Sequence, residues 1–364
     1  APSGGKFVSH HATCQGEILM DGVGGTHVYA TGSAQSVSGS KLVMPHNSGV
    51  SITQVCTDSW NPYKFMPFPL LGQTLSFKVD LSKVACGCNL AVYFVLEPGK
   101  LDDGTPSDGT CDYSPYYCDA NKVCGQWCPE LDIMEANTGA FQATPHSCAA
   151  SETSKYYWCD RDGKGTNTKD IARSSYGPGR ENTIDTSAPF EVHTRFEGTP
   201  SSNGSAPTLT RMETTLRQRG NQLVLSSPAP PDYLAKMASA MDEGMALRIT
   251  YWGGAASTMS WLDSPPCGQQ ACTAETAGLA ELWDFRLTPG LPGPAPARAR
   301  RKRPASRPSL PIFLAVVGAL IASGVVCVAF ANREHLVGGN GNGYSMGISA
   351  DRPPKCDTAV ALEE

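Results

Sequence analysis

The distribution of cysteines constrains this chain more than any other feature. Fourteen of its 364 residues are cysteines, and all but Cys327 and Cys356 fall between Cys14 and Cys272. Paired CxxC motifs at zinc-finger spacing and an HExxH motif are both absent, which argues against the common zinc sites. Because disulfides persist in oxidising compartments, the cysteine-rich part is expected to be disulfide-bonded and secreted. The sequon Asn203-Gly204-Ser205 agrees with export, and a signal peptide is expected to have been removed or to lie upstream of Ala1.

Turn-forming residues separate short segments of alternating polarity. The chain holds 37 glycines and 28 prolines, and residues 75–79, 192–196, 245–251 and 283–287 alternate as half-buried strands do. Only residues 233–241 have a helical pattern. Many strands with few helices predict an all-β protein, a β-sandwich. The net charge of −5 and the lack of a general basic excess argue against nucleic acid as a partner.

A shift in composition near residue 289 divides the chain. Residues 1–289 form the predicted cysteine-rich domain, and residues 290–309, rich in Pro, Ala and Arg, predict an extended linker. Residues 310–331 are about 22 residues without a charge and predict a single transmembrane helix, with a buried core helix as the alternative. Residues 332–364 are Gly-rich and polar and predict a disordered tail.

Two signals of membrane orientation disagree. The arginines of the linker favour a cytoplasmic position for the N-terminal domain, whereas its cysteines favour the outside. A second signal-like segment from a fused reading frame is a further interpretation of residues 310–331. The sequence therefore predicts an extracellular or cell-surface, membrane-anchored protein and leaves its orientation open.

Three acids stand close together in an otherwise apolar segment: Glu130, Asp132 and Glu135. On a regular strand Glu130 and Asp132 share a face while Glu135 points away, and a one-residue bulge would return Glu135 to that face. A retaining glycosidase needs two carboxyls about 5 Å apart, one to attack the anomeric carbon and one to protonate the leaving oxygen. A third acid can set the protonation state of the nucleophile. A solvated acidic strand or a set of calcium ligands are the alternatives.

The segment 130–148, ELDIMEANTGAFQATPHSC, resembles the active-site strand and following loop of glycoside hydrolase family 7, the fungal-type cellobiohydrolases and endoglucanases. Further segments resemble the family in the same order, namely residues 71–80, 89–95, 176–179 and 184–186, then Trp252 and residues 261–264. The similarity spans roughly residues 25–290. It implies a jelly-roll, concanavalin-like β-sandwich with a long substrate cleft, which acts as a monomer on a β-glucan polysaccharide and needs no metal or cofactor.

The resemblance also implies roles for individual residues. Glu130 corresponds to the nucleophile, Asp132 to its acidic partner and Glu135 to the acid/base. His146 corresponds to a cleft histidine, with a residue of a surface loop as the alternative. The other corresponding residues line the substrate path: Asn89, Tyr93 and Asp112 as polar groups, and Trp252 and Trp261 as sugar-stacking platforms. Without the resemblance, these strand polar groups would be structural and the tryptophans would be core residues.

Disulfide partners follow from the same resemblance. The expected pairs are Cys86–Cys272, Cys88–Cys267, Cys111–Cys128, Cys118–Cys124 and Cys148–Cys159. Cys14 and Cys56 are candidates for a further pair, and connectivity cannot be proved from the sequence alone.

The chain departs from the family in its loops. Most of the family's N-terminal region has no counterpart in this sequence, and the insertion between Cys118 and Cys128 is short. The loop between Cys148 and Cys159 lacks the arginine-bearing segment that encloses the tunnel of the cellobiohydrolases. Short loops imply an open cleft, so the sequence predicts a retaining endo-β-1,4-glucanase that hydrolyses internal linkages of cellulose or a related β-glucan. Exo action of the cellobiohydrolase type, a laminarinase-type enzyme and a non-catalytic cellulose-binding protein are the alternatives.

Overall fold

The structure is a computed structural model that describes residues 13–23, 28–34, 36–39, 41–111, 114–149 and 155–290. The strands are β1 (Thr13–Ile18), β2 (Met20–Asp21), β3 (Val28–Ser33), β4 (Ser36–Ser38), β5 (Lys41–Met44), β6 (Ser48–Thr53), β7 (Gln73–Asp80), β8 (Cys88–Val95), β9 (Glu130–Ala136), β10 (Phe141–His146), β11 (Thr166–Asn167), β12 (Tyr176–Gly177), β13 (Ile184–Asp185), β14 (Phe190–Thr199), β15 (Thr208–Gln218), β16 (Asn221–Ser226), β17 (Ala246–Gly253) and β18 (Ala280–Pro289). The helices are α1 (Pro231–Glu243) and α2 (Ala256–Asp263), and 3-10 turns cover Val123–Gly125, Thr168–Asp170 and Arg173–Ser175.

Two eight-stranded sheets dominate the fold. The first is antiparallel and runs in the order β1-β3-β6-β17-β8-β9-β10-β11. The second runs in the order β16-β15-β14-β7-β18-β5-β4, with β2 pairing in parallel with β18. A separate parallel pair joins β12 and β13. The predicted all-β sandwich is confirmed.

The alternating segments of the sequence build the core between these sheets. Strand β7 alternates between buried and partly exposed residues, and its Phe77 stacks on Phe285 of β18 with ring centroids 5.5 Å apart. Tyr176 contacts both Phe141 of the first sheet and Phe190 of the second, edge to face. One cluster of buried apolar residues therefore includes side chains from both sheets, which is what period-2 patterning requires of a two-layer fold.

The helices agree with the sequence only in part. Helix α1 contains the predicted segment 233–241, begins with Pro231 and ends before Gly244, whose φ of 99° favours glycine. The expectation that this segment is the only helix was wrong, because α2 forms after β17. Helix α2 has eight residues and buries only Met259, Leu262 and Asp263, so it is too short for a 3.6-residue period to show in the sequence.

Disulfides join all twelve cysteines of the described residues, and two of the expected pairs are confirmed, Cys14–Cys56 and Cys148–Cys159. The other four expected pairs were wrong in the choice of partner. The structure has Cys86–Cys267, Cys88–Cys272, Cys111–Cys124 and Cys118–Cys128.

Backbone pairing explains the exchanged partners. Cys88 lies opposite Gly253 in the β8–β17 ladder, and the Cys272 amide donates to Gly254 O at 2.8 Å, so Cys272 is held next to Cys88. Cys118 Sγ lies 3.3 Å from Leu96 O, and the Leu96 amide donates to the carbonyl of the residue after Cys128 at 3.3 Å. Each exchange is between cysteines two to seven residues apart, which sequence spacing cannot distinguish.

The described part of the chain ends just after β18, at Gly290. Asp112, the predicted transmembrane segment 310–331, the tail 332–364 and residues 291–309 of the predicted linker lie outside the described residues. Within the residues that the structure describes, neither α1 nor α2 has the length and apolar composition of a membrane span.

Candidate active site

A bulge in β9 brings the three acids to one face of the first sheet. Against β8, Glu130 lies opposite Val95, Asp132 opposite Tyr93 and Glu135 opposite Ala91. The β8 partners are spaced by two residues, whereas the last two acids are spaced by three, so β9 contains one extra residue at this point. The register with β10 shifts at the same place. The predicted one-residue bulge is therefore confirmed, and Glu135 faces the same side as Glu130 and Asp132.

This face continues across neighbouring strands as a polar surface. Directly opposite residues of adjacent strands share a face. Across β17, β8, β9 and β10, one row of opposite residues is Arg248, Tyr93, Asp132 and Thr144. A second row across the same strands is Thr250, Ala91, Glu135 and Gln142. Trp252 of β17 lies opposite Asn89 of β8. The opposite face carries the fully buried Leu90, Val92 and Phe94 of β8. The acids thus lie on the side of the sheet that faces away from the core.

Hydrogen bonds fix Glu130, Asp132 and His146 as one cluster. His146 Nε2 lies 2.8 Å from Asp132 Oδ2, and His146 Nδ1 lies 2.9 Å from Asp160 O. The Ala120 amide donates to Glu130 Oε2 at 3.0 Å. Ligand atoms of Glu130, Asp132 and His146 all lie within 4.8 Å of one another. All three side chains are buried.

The contacts of His146 restrict where its protons can lie. A backbone carbonyl can only accept, so the bond to Asp160 O places a proton on Nδ1. Nε2 then either accepts from a protonated Asp132 or donates to an ionised Asp132. The Asp132–His146 pair carries no net charge in either case, which reduces the repulsion that an ionised Glu130 would meet.

Asn89 holds the third acid. Its Nδ2 donates to Glu135 Oε1 at 3.0 Å, and its Oδ1 accepts from the Ala136 amide at 3.1 Å. Asn89 is fully buried on β8, so its amide group has a fixed orientation. Glu135 itself remains partly exposed.

Burial and mutual repulsion raise the pKa of each acid in the cluster. Burial raises the pKa of Glu130 well above its usual range, and the nearby Asp132 and Asp119 add to the shift. The pKa of Asp132 is raised by burial and then by Asp119. Burial, with Asp132 second, raises the pKa of Glu135 to about 8, against the opposing effects of His146 and Asn89. At neutral pH the Glu135 carboxyl is therefore mostly protonated.

Tyr93 belongs to a buried network beside the acids. Its hydroxyl lies 3.2 Å from that of Tyr117, and the Arg248 guanidinium lies 5.2 Å from the Tyr117 ring centroid. Arg248 is buried and forms an ion pair with Glu97, with Nε 2.8 Å from Glu97 Oε2. Trp60 covers Arg248 at 5.4 Å. Burying this charge is tolerable because it is paired and hydrogen-bonded, and the network fixes the surroundings of Tyr93 beside the acids.

The two predicted tryptophans lie on different elements. Trp252 is on β17, opposite Asn89, and Trp261 is on α2 with 38% of its surface exposed. Helix α2 is anchored near the end of β9, because Asp263 Oδ2 accepts from the Gly87 amide and from Asn137 Nδ2, both at 2.8 Å. The Lys169 ammonium binds the Trp261 carbonyl. Trp261 therefore stands exposed on a fixed helix near the Glu135 end of the acid strand.

The structure brings together seven of the nine predicted site residues on β8, β9, β10 and β17. Trp261 lies on α2, and Asp112 lies outside the described residues. Sequence reasoning missed Tyr117, Asp119, Ala120 and Arg248. The sequence signal for loop residues 117–120 is a tyrosine and an aspartate on either side of Cys118, shortly before β9. Arg248 carried a weaker signal, a lone charge in the apolar pattern of β17.

Comparison with known proteins identifies the family of this chain. The family model of glycosyl hydrolase family 7 matches residues 5–124 and 120–233. Endoglucanase EG-1 of Hypocrea jecorina is 33% identical over 295 residues, which cover 72% of this chain and 61% of that protein. Endoglucanase type C of Fusarium oxysporum is 25% identical over 302 residues, covering 71% of this chain and 70% of that protein. The chain thus spans about three fifths of the length of EG-1.

Solved structures show the same fold. A family 7 cellobiohydrolase from Daphnia pulex matches with a TM-score of 0.55 at 20% identity, over 70% of this chain and 80% of that one. The endocellulase EGI of Humicola insolens matches with a TM-score of 0.52 at 21% identity, over 69% and 77% of the two chains. On the strength of the family model, which covers more than half of its length, the chain belongs to glycosyl hydrolase family 7.

Proposed function

We propose that this protein is a retaining endo-β-1,4-glucanase that hydrolyses internal linkages of cellulose or a related β-glucan. The observation that carries the proposal is the bulge in β9, because it turns Glu130, Asp132 and Glu135 to one face. A surface acidic strand would not bury Glu130 and Asp132 or supply them with specific donors. Calcium ligands are disfavoured because the cluster of Glu130 and Asp132 includes the imidazole of His146, whereas Ca²⁺ takes oxygen ligands.

In the first step, Glu130 attacks the anomeric carbon and Glu135 protonates the leaving oxygen. The Ala120 amide stabilises the anionic form of Glu130 through a charge-assisted hydrogen bond at 3.0 Å. The net-neutral Asp132–His146 pair allows Glu130 to be the ionised member of the cluster. Glu135 holds its proton at neutral pH, because its pKa is raised to about 8, and so acts as the general acid.

In the second step, the ionised Glu135 accepts a proton from water. That water attacks the glycosyl ester on Glu130, and Glu130 leaves as a carboxylate. Two inversions give net retention at the anomeric carbon. Asn89 keeps its hydrogen bond to Glu135 in both steps, since its Nδ2 can donate to either form of the carboxyl.

The other side chains of this face suit a neutral sugar chain. We assign Trp252 and Trp261 as stacking platforms, because the axial C–H bonds of a β-glucose ring pack flat against an indole. Asn89 and Tyr93 are the polar groups of the floor, and we keep Asp112 as a proposed substrate contact. The endo mode is supported by the short loops between Cys118 and Cys128 and between Cys148 and Cys159, and by the names of the endoglucanase relatives.

We further propose that the protein works as a monomer outside the cell or on its surface, anchored through residues 310–331. The six disulfides of the described part support the extracellular position. The charge-free segment supports the anchor.

Kinetics of the detergent-solubilised full chain test the proposal. We expect release of methylumbelliferone from its β-cellobioside, a rapid fall in the viscosity of carboxymethylcellulose and little activity on laminarin. The Glu130→Gln variant should lose at least about a thousandfold in kcat. Glu181→Gln, an exposed glutamate outside the cluster, serves as the matched control.

Each alternative gives a different outcome in the same assays. Cellobiose release without a fall in viscosity would indicate exo action, and preference for laminarin would indicate a laminarinase-type enzyme. Binding to cellulose without release of reducing sugar would leave a non-catalytic protein. Full activity in Glu130→Gln would show that the assignment of the nucleophile is wrong.

A further inference from the structure

The hydroxyl of Tyr233 binds the protein at three points around His146. It accepts from the Ser147 amide at 3.1 Å and lies 3.2 Å from Pro145 O and 2.9 Å from Asp160 Oδ2. Pro145 and Ser147 are the two chain neighbours of His146 at the end of β10. One hydroxyl from α1 therefore contacts both residues that flank this histidine.

The third contact of the Tyr233 hydroxyl is with Asp160, which lies at the Nδ1 side of the His146 ring. Asp160 accepts the Nδ1 proton of His146 with its backbone oxygen at 2.9 Å, while its side chain binds Tyr233. The chain after Asp160 also packs on the ring, since a Cβ atom on Gly163 would lie 2.7 Å from His146 Cε1. Tyr233 thus holds both the segment that carries His146 and the residue that binds its Nδ1.

Helix α1 gives this hydroxyl a fixed position. Tyr233 is in the first turn of α1 and is 8% exposed, and Leu234, Met237 and Met241 of the same helix belong to the buried core. A buried tyrosine hydroxyl usually has a hydrogen-bond partner. This one has an amide donor on Ser147 and two acceptors, Pro145 O and Asp160 Oδ2, that share its single proton.

We propose that Tyr233 is a positioning residue that holds His146 against Asp132 and so keeps the Asp132–His146 pair neutral beside Glu130. The proposal rests on the proposed function, since it gives Tyr233 a part in setting the ionisation of the nucleophile. Tyr233 contacts neither Glu130 nor Glu135 in the hydrogen bonds described, so it acts through His146.

The charges around His146 determine the direction of the effect. The ring bonds Asp132 of β9 and the backbone oxygen of Asp160 in the segment after β10. Glu130 and Glu135 of β9 and Asp119 of the loop after β8 are near enough for His146 to lower their pKa values. Helix α1 contributes Tyr233 to the surroundings of His146, through its bond to Asp160. Among these carboxyls, the bonded geometry pairs the ring with Asp132 in particular. If the ring turns away, Asp132 loses its bond to Nε2, and a charge on Asp132 is then no longer balanced by His146 and disfavours ionisation of Glu130.

The variant Tyr233→Phe removes the hydroxyl and keeps the ring. We expect the acid limb of the kcat profile, which reports ionisation of Glu130, to move to higher pH by about half a unit or more, with KM changed by less than about twofold. The matched control is Tyr251→Phe, because the buried Tyr251 hydroxyl has no hydrogen-bond partner within the described residues. It should leave the profile where it is.

A second readout does not depend on turnover. In ¹⁵N-labelled full chain, the His146 ring signals, assigned with His146→Gln, should shift in Tyr233→Phe and stay unchanged in Tyr251→Phe. If Tyr233→Phe does not fold, Asp160→Ala breaks the same bridge while retaining the backbone acceptor of His146, and it should shift the same signals. Unchanged ring signals and an unchanged pH profile would overturn the role of Tyr233. An inactive wild-type protein whose ring signals still move would overturn the proposed function alone.

Discussion

Replacing Glu135 with Gln tests the electrostatics of the site through stability as well as activity. The pKa of this carboxyl is raised from 4.5 to about 8, chiefly by burial. A folded-state pKa above the unfolded value means that the contribution to stability is fully present below pH 4.5 and is lost as the pH rises through 8. Between these values the unfolded chain releases the proton and the folded chain keeps it.

The magnitude follows from the width of that interval. A rise from 4.5 to about 8 corresponds to about 5 kcal/mol at about 1.4 kcal/mol per pH unit, which is an upper value. Glu135 is partly exposed to solvent, so we expect about half of this after solvent screening. Gln cannot ionise and can still accept from Asn89. The variant should therefore match the wild type in stability near pH 4.5 and exceed it by about 2 kcal/mol at pH 9.

Urea unfolding at half-unit steps from pH 4.5 to 9 measures this difference. Glu181→Gln, an exposed position, should give a curve parallel to the wild type throughout. The turnover of Glu135→Gln should fall by about 10² to 10⁴, as expected when a general acid is lost. Parallel stability curves for Glu135→Gln and wild type would refute the buried, protonated state of Glu135.

Three further changes test other parts of the account. Trp261→Ala removes the proposed stacking platform, worth about 1 kcal/mol, so KM for a cellobioside should rise about fivefold with kcat within about twofold. An unchanged KM would exclude stacking on this ring. Changing both Cys148 and Cys159 to Ser opens a loop with a sequence separation of 11 and should lower the unfolding free energy by about 3 kcal/mol in denaturant, whereas an unchanged midpoint would show that the disulfide is dispensable. Deletion of residues 310–331 should release the protein from carbonate-washed membranes, and retention of the shortened chain would contradict the anchor.

The sequence was most informative where local periodicity and chemistry coincide. The spacing of Glu130, Asp132 and Glu135 in an apolar strand required a bulge if all three were to face one cleft, and the register shift against β8 and β10 shows it. Strands such as β7 could also be predicted from their alternating sequence, because one residue in two must be buried in a two-layer fold.

Features that depend on long-range packing could not be read in this way. Helix α2 was missed because its position depends on bonds from Asp263 to Gly87 and Asn137 rather than on its own period. Cys86 and Cys88 exchanged partners because a shift of two residues along a strand is decided by the β8–β17 register. Tyr233 is remote in sequence from His146, and only the packing of α1 brings them together.

The central claim is that Glu130 forms a covalent bond to the sugar. Incubation with a 2-deoxy-2-fluoro-β-cellobioside that carries a dinitrophenyl leaving group should accumulate the glycosyl-enzyme, because fluorine slows its hydrolysis more than an activated leaving group slows its formation. Mass spectrometry of the intact chain and of its peptides should find one added fluorocellobiosyl group, located on Glu130. A glycosyl group on another residue, or turnover of natural substrate with inverted product and no adduct, would contradict this account.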